Sequence, residues 1–320
     1  MTSRPWYWHP VPSTLMTPMS WLWKAGQQWR HGRRRTEVHE LPLLVVGNPR
    51  VGGSGKTPIS IDLVERARDL GFEPCWIGRG VGGDGRIRQV TAETGSAQVG
   101  DEALMARHRL GSHCYSGVPR SAVIRMAQRH GCGLAISDDG MQSPDLLPDQ
   151  LIVCLRAEDP WGNGRILPAG PLREGPECLQ RADLVVWHGL DQGAPELPVE
   201  ADERWVTAWY EVTVPELPPD REIGVATAIA DPFRLVRTVE ASGQDVGRVL
   251  TAPDHRQLPL RQLDPQMTWL TTSKDFARMA ESLPENLDIR VVEVKLLWGD
   301  GGERVEQMLR SLAMARESSA

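Results

Sequence analysis

The feature that most limits how this chain can fold lies in residues 41–70, where an apolar run, a glycine-rich loop and an amphipathic segment follow one another directly. Leu41-Pro-Leu-Leu-Val-Val46 reads as a strand buried on both faces of a parallel sheet, ending at Gly47. From about Lys56 onward, Ile59, Leu63, Val64 and Ala67 share one helical face while Glu65, Arg66 and Arg68 take the other. The loop between is Asn48-Pro-Arg-Val-Gly-Gly-Ser-Gly-Lys-Thr57. Its small residues let the backbone N–H groups of Val51, Gly52, Gly53, Ser54 and Gly55 wrap a phosphate at the helix N-terminus. Lys56 then reaches the outer phosphates, and Thr57 offers its hydroxyl to Mg²⁺. The strict phosphate-loop pattern wants glycine where this chain has Arg50, but the strand-loop-helix setting and the Gly52-Gly53 pair compensate. The bland alternative is an ordinary glycine-rich turn.

Further strands are expected at 74–77, 113–115, 134–137, 151–155 and 184–187, with helices near 101–110 and 119–130. This is the alternation of a doubly wound, mostly parallel α/β sheet, here a P-loop core over residues 41–200. After about residue 190, Pro195, Pro198, Pro215, Pro218 and Pro219 punctuate a period-2 strand at 204–214, which marks a boundary. Strands at 223–229, 269–272 and 289–297, a helix at 232–241 and a terminal helix from about Gly302 predict a second, smaller α/β domain over 201–320.

The net charge of −6 is mild, which argues against a nucleic-acid binder, but it is unevenly spread. Residues 1–40 carry six Lys/Arg against two Glu, leaving the rest of the chain near −10. Five of the twelve tryptophans (Trp6, Trp8, Trp21, Trp23 and Trp29) also fall there, and Met19, Leu22, Trp23, Gly26 and Trp29 have helical spacing before the run Arg33-Arg-Arg35. An amphipathic N-terminal helix rich in tryptophan and arginine suits the headgroup zone of a bilayer; packing on its own domain is the plainer reading. Five widely spaced cysteines signal neither a disulfide framework nor a zinc site, and a reducing, cytoplasmic setting is expected.

Ser137-Asp-Asp-Gly-Met-Gln142 places Asp138 and Asp139 at the carboxyl end of a strand, where such sheets bind ligands and where Mg²⁺ coordination needs acids. Asp101 and Glu102 open a predicted helix, and acids there favour the helix dipole whatever else they do. Asp254-His255 is equally open: a surface pair, or an imidazole oriented toward a hydroxyl.

Taken together these motifs resemble the tetraacyldisaccharide 4'-kinases. The resembling residues are Val46-Gly-Asn48 with Gly52-Gly-Ser-Gly-Lys-Thr-Pro58, Arg79-Gly80 with Gly82-Gly83, Gly100-Asp-Glu102 and Ser137-Asp-Asp-Gly-Met-Gln142. Downstream they are Gly162-Asn-Gly164, Leu167-Pro-Ala-Gly-Pro-Leu-Arg-Glu174, Asp254-His255 and Lys274-Asp275. The resemblance implies a kinase that moves the γ-phosphate of ATP, with Mg²⁺, to the 4'-hydroxyl of an acylated glucosamine disaccharide 1-phosphate in lipid A biosynthesis. It implies a peripheral enzyme on the cytoplasmic face of the inner membrane, held by its N-terminal helix. It also implies roles: Asp101 and His255 as the pair that takes the hydroxyl proton, with Lys56 on the phosphates; Thr57, Glu102, Asp138 and Asp139 at the metal; Gln142 and Arg173 near the phosphates. Departures from the family pattern are Arg50, Val81, Arg256, Ser273 and the stretch Ala228-Ile-Ala-Asp-Pro232. The rival reading is a membrane-associated P-loop switch or partner-binding protein; its GTPase version expects [N/T]-K-x-D, and Thr272-Ser-Lys-Asp275 has the wrong spacing.

Overall fold

The computed structural model describes residues 16–32, 41–52, 55–189, 193–229, 232–253, 258–279 and 282–317. Trp6, Trp8, the arginines at 33–35, Gly53, Ser54, Asp254, His255 and Arg256 lie outside the described residues.

Strand β1 (Leu43–Gly47) is buried at every position because helices cover both faces of its sheet. Leu44 and Val46 point into one core, formed with α2 (Lys56–Asp69), α4 (Asp101–Leu110) and α8 (Gly302–Glu317). Leu43 and Val45 point into the other, with α5 (Arg120–Arg129). The remaining strands of this half are β2 (Pro74–Gly78), β3 (Arg88–Gln89), β4 (Cys114–Ser116), β5 (Leu134–Asp138), β6 (Gln150–Arg156) and β7 (Leu184–His188); the short α3 (Ser96–Val99) precedes α4. β1 runs parallel between β5 and β6, so the ends of the phosphate loop strand and of the Asp138 strand meet.

The chain's texture changes near residue 200, yet the sheet runs across that point. β8 (Trp205–Thr213) joins β7 in parallel, and β9 (Ile223–Thr227), β10 (Val246–Thr251), β11 (Thr268–Thr272) and β12 (Asp288–Trp298) complete one twelve-stranded sheet among the described residues. Its order is β10-β9-β11-β12-β8-β7-β6-β1-β5-β2-β4-β3. β12 stitches the halves: Asp288 to Val292 pair in parallel with β11, and Glu293 to Trp298 pair antiparallel with β8. The second half has its own apolar clusters, one under α6 (Pro232–Ala241) and one near α7 (Ser273–Met279). The terminal helix α8 instead returns Val305, Met308, Leu309 and Leu312 to the first core.

The alternation expected along 204–214 holds only in the outer part of β8, since Trp205 to Ala208 pair with β7 and are buried, Trp205 in one core and Val206 and Ala208 in the other. β10 and α7 escape sequence detection for simple reasons. β10 is an edge strand with mostly exposed side chains, and α7 is too short for its period to show. Helix α1 (Thr17–Gly32) forms where the apolar spacing places it. No described helix is long and apolar enough to cross a membrane. All five cysteines are buried free thiols.

Candidate functional site

The first part of the phosphate loop, residues 49–51, is braced by a segment far away in sequence. Val51 N–H donates to the Pro171 carbonyl at 2.9 Å, Arg173 N–H donates to the Pro49 carbonyl at 2.6 Å, and Arg50 bridges to Leu172. The Leu167-to-Glu174 stretch is therefore a strand-like splint along residues 49–51. Arg50, the departure from the glycine pattern, points away from phosphate chemistry: its guanidinium pairs with the Asp159 carboxylate at 2.9 Å. Gly55, the residue before α2, has φ 71°, and a Cβ there would run into the Tyr210 hydroxyl and the His188 ring. Tyr210 donates from its hydroxyl to the Gly55 carbonyl at 3.1 Å, so β8 of the second half props the loop.

Lys56, Thr57, Asp138, Asp139, Gln142 and Arg173 converge here. Lys56 Nζ donates to Asn48 Oδ1 at 2.9 Å and lies 3.3 Å from Asp139 Oδ1. Arg173 Nη1 reaches both Asp139 oxygens at 3.0 and 3.1 Å and Gln142 Oε1 at 3.2 Å. Gln142 Nε2 donates back to the Asn48 carbonyl and to Glu174, each at 3.1 Å. Burial by itself would lift the Asp139 carboxyl, but Lys56, Arg173 and Arg120 outweigh it and hold the group below the usual carboxylate range.

Asp138 is the opposite case. Burial, then the nearby charge of Glu102, push its carboxyl up to about 7 against the pull of Lys56 and Thr57. Its Oδ2 accepts from Thr57 Oγ1 at 2.7 Å, while its buried Oδ1 has no partner among the described residues. A carboxylate oxygen without a partner, beside a hydroxyl and a phosphate loop, is the donor set a hard divalent cation takes. Among the described residues no three His, Cys, Asp or Glu side chains cluster tightly enough to hold a metal alone. A magnesium ion here would complete its shell from nucleotide phosphate and water.

Asp101 opens α4 after Gly100, whose φ of 77° and tight approach to the Val81 carbonyl admit only glycine. Its carboxylate pairs with Arg278 at 2.7 Å, and Arg278 also pairs at 3.1 Å with the buried Asp275. Asp275 is itself fixed by the Thr227 and Thr272 hydroxyls and the Ala228 N–H, at 2.6, 2.9 and 3.1 Å. An ion pair thus ties the first half of the sheet to the second, alongside a tilted His108–Phe276 ring contact at 5.8 Å. Glu102 is exposed, close enough to be felt by Asp138, and it lines a cavity of about 330 Å³ with Asp101, Val81 and Gly82. Asn48, Glu174, Tyr210 and Arg278 take part without having been assigned roles from the sequence. Asn48 and Glu174 at least stand inside the motifs, whereas Tyr210 and Arg278 carry no local signal.

Two more cavities flank this cluster. One of about 570 Å³ is lined by Arg79, Arg120, Asp139, Gln142 and Arg173 and closed on one side by Trp23 of α1. The other, about 240 Å³ and almost wholly apolar, lies between Gly55 and Pro58 and the side chains of Tyr210, Ile229, Leu235 and Val292. Helix α1 is seated on the splint: Ser20 Oγ donates to the Ile166 carbonyl at 2.8 Å, Trp23 Nε1 to the Arg173 carbonyl at 3.4 Å, and Lys24 pairs with Glu177 at 3.4 Å. Met19, Trp21 and Leu22 face outward, 57%, 72% and 75% exposed.

Comparison with known proteins gives one consistent family. The family described as tetraacyldisaccharide-1-P 4'-kinase matches residues 12–313. The tetraacyldisaccharide 4'-kinase of Parvibaculum lavamentivorans is 30% identical, covering 96% of this chain and 95% of its own length. That of Gluconobacter oxydans is 32% identical, over 94% of this chain and 95% of its own. Among solved structures, LpxK from Aquifex aeolicus in complex with ATP superposes with a TM-score of 0.77 at 21% identity, covering 93% of this chain and 98% of that one.

Proposed function

We infer that this chain, which belongs to the tetraacyldisaccharide 4'-kinase family, transfers the γ-phosphate of ATP to the 4'-hydroxyl of tetraacyldisaccharide 1-phosphate in lipid A biosynthesis. The observation that carries the reading is the convergence of Lys56, Thr57, Asp138, Asp139 and Arg173 at the carboxyl ends of β1 and β5. Phosphoryl transfer asks a protein for positioning and charge neutralisation more than for covalent chemistry. Lys56 and Arg173 supply positive charge where the outer phosphates would lie, and Thr57 and Asp138 supply the oxygen ligands. Magnesium, when bound, neutralises charge on the transferring group.

The acceptor roles are proposals. Asp101, with His255 from the second half, takes the proton of the sugar hydroxyl, and Glu102 adds negative charge at the metal side. The polar 570 Å³ cavity, to which Arg79 and Arg173 bring positive charge, suits a phosphorylated sugar, and the apolar slot beside Gly55 suits a nucleotide base. Helix α1 would lie on the cytoplasmic face of the inner membrane. Its outward Met19, Trp21 and Leu22 support that reading, because an apolar stripe exposed to water is unfavourable and one sunk into the headgroup zone is not.

The direct test is phosphate incorporation from MgATP into tetraacyldisaccharide 1-phosphate in mixed micelles by the purified full chain. Transfer is expected; absence of transfer together with partner-stimulated nucleotide hydrolysis would return the P-loop switch. Sedimentation with anionic vesicles tests the location: Trp21→Ser with Leu22→Ser should abolish most binding while leaving nucleotide affinity unchanged.

A further inference from the structure

Arg120 occupies the first position of α5, is only 1% exposed, and directs its donors to main-chain carbonyls instead of a carboxylate. Nη2 donates to the Asp138 carbonyl at 2.9 Å, and Nη1 donates to the Asp139 carbonyl at 2.7 Å and to Ser143 Oγ at 3.0 Å. Burying a guanidinium is costly; here the two Nη groups are met by the Asp138 and Asp139 carbonyls and by Ser143 where the chain leaves β5, while the buried Nε has no partner among the described residues. That point is unusual. Asp138 is still in register with Val46 of β1, but Asp139 has φ 51°, a left-handed conformation that few residues other than glycine, asparagine and aspartate adopt.

We propose that Arg120 is a positioning residue for the metal site, gripping the two consecutive carbonyls so that Asp138 presents its unpartnered carboxylate oxygen to the cation while Asp139 is directed at Lys56 and Arg173. The peptide between the two acids sets the angle between their side chains, and the guanidinium fork spans that peptide's own carbonyl, of Asp138, and the next one, of Asp139. A lysine amine keeps the charge but lacks the planar fork that reaches both oxygens and Ser143 at once. The proposal rests on the reading that Asp138 serves the metal.

The experiment uses the full chain with Mn²⁺ as probe. Mn²⁺ affinity is measured by electron paramagnetic resonance in the presence of a non-hydrolysable ATP analogue, for wild type, Arg120→Lys, Arg120→Met and Asp138→Asn. Arg120→Lys should weaken Mn²⁺ binding about tenfold, and Arg120→Met more, as for other residues that orient metal ligands. Metal-free nucleotide affinity should stay within about twofold for Arg120→Lys, since the phosphate loop is untouched. Unchanged Mn²⁺ affinity in Arg120→Lys beside a weakened Asp138→Asn overturns the positioning role alone. Unchanged affinity in Asp138→Asn overturns the metal reading beneath it. A raised acceptor KM with normal Mn²⁺ binding would make Arg120 a substrate contact, and failure of both Arg120 variants to fold would make it a structural residue; either outcome overturns the proposal.

Discussion

On the phosphate side of the site, Lys56, Asp139, Arg173, Gln142 and Asn48 bond to one another within one half of the sheet, whereas on the opposite side Asp101 is held by Arg278, which belongs to the other half. The first arrangement is local to β1, β5 and the splint at residues 167–174. The second depends on α4 lying against α7, and so on how the halves of a twelve-stranded sheet are joined through β8 and β12. A site of this kind divides its labour: the groups proposed to meet the phosphates form a prebuilt cluster, while the group proposed as proton acceptor is placed by the tertiary joint.

The sharpest way to break that comparison is to remove one charge from each side. Lys56→Ala should lower kcat by about three orders of magnitude, and Asp101→Ala by about two, with nucleotide affinity lost only in the first. Equal loss of nucleotide affinity in both variants, read by titration with a fluorescent ATP analogue, would mean the two sides do not act separately. Next in size is the joint itself. Arg278→Met leaves Asp275 buried without its cation and should cost about 3 kcal/mol in urea unfolding, since removing one partner of a buried pair exposes the full penalty of the other. A change within experimental error would show that the threonine hydroxyls and the Ala228 N–H suffice for Asp275.

The smallest effect concerns pH and the metal-free protein. Asp138 keeps its proton up to about 7 when folded but releases it near the ordinary 3.8 when unfolded. The folded state therefore binds more protons between these values, and stability falls as pH rises from about 4 to about 7, then stays reduced. Asp138→Asn lacks that penalty. In EDTA its midpoint should match wild type near pH 4 and exceed it by a few degrees at pH 8, by thermal melts. A gap that opens in the acid direction would contradict the assignment.

Much of this is legible in the amino-acid sequence. The strand-loop-helix passage into Lys56 and Thr57 declares itself because backbone geometry, helix dipole and residue chemistry all act within about a dozen neighbouring residues. Asp138 and Asp139 were visible as acids at a strand end, as was α1 by its spacing. The opposite electrostatic behaviour of the two acids was not visible, because it depends on which is walled in beside Glu102 and which is met by Lys56 and Arg173. Nor was the destination of Arg50, which finds Asp159 more than a hundred residues later.

Short-range patterns in the chain settle the class of chemistry: an α/β sheet carrying a phosphate loop, with cations and acids at the strand ends. Only the tertiary structure decided that the Leu167-to-Glu174 stretch splints the loop, that Tyr210 props Gly55, that Arg120 clasps the acids' carbonyls and that Arg278 holds Asp101. Those contacts join residues that are distant along the chain. Hydrogen bonds and ion pairs depend on distance and angle, which long-range packing sets and no local pattern records.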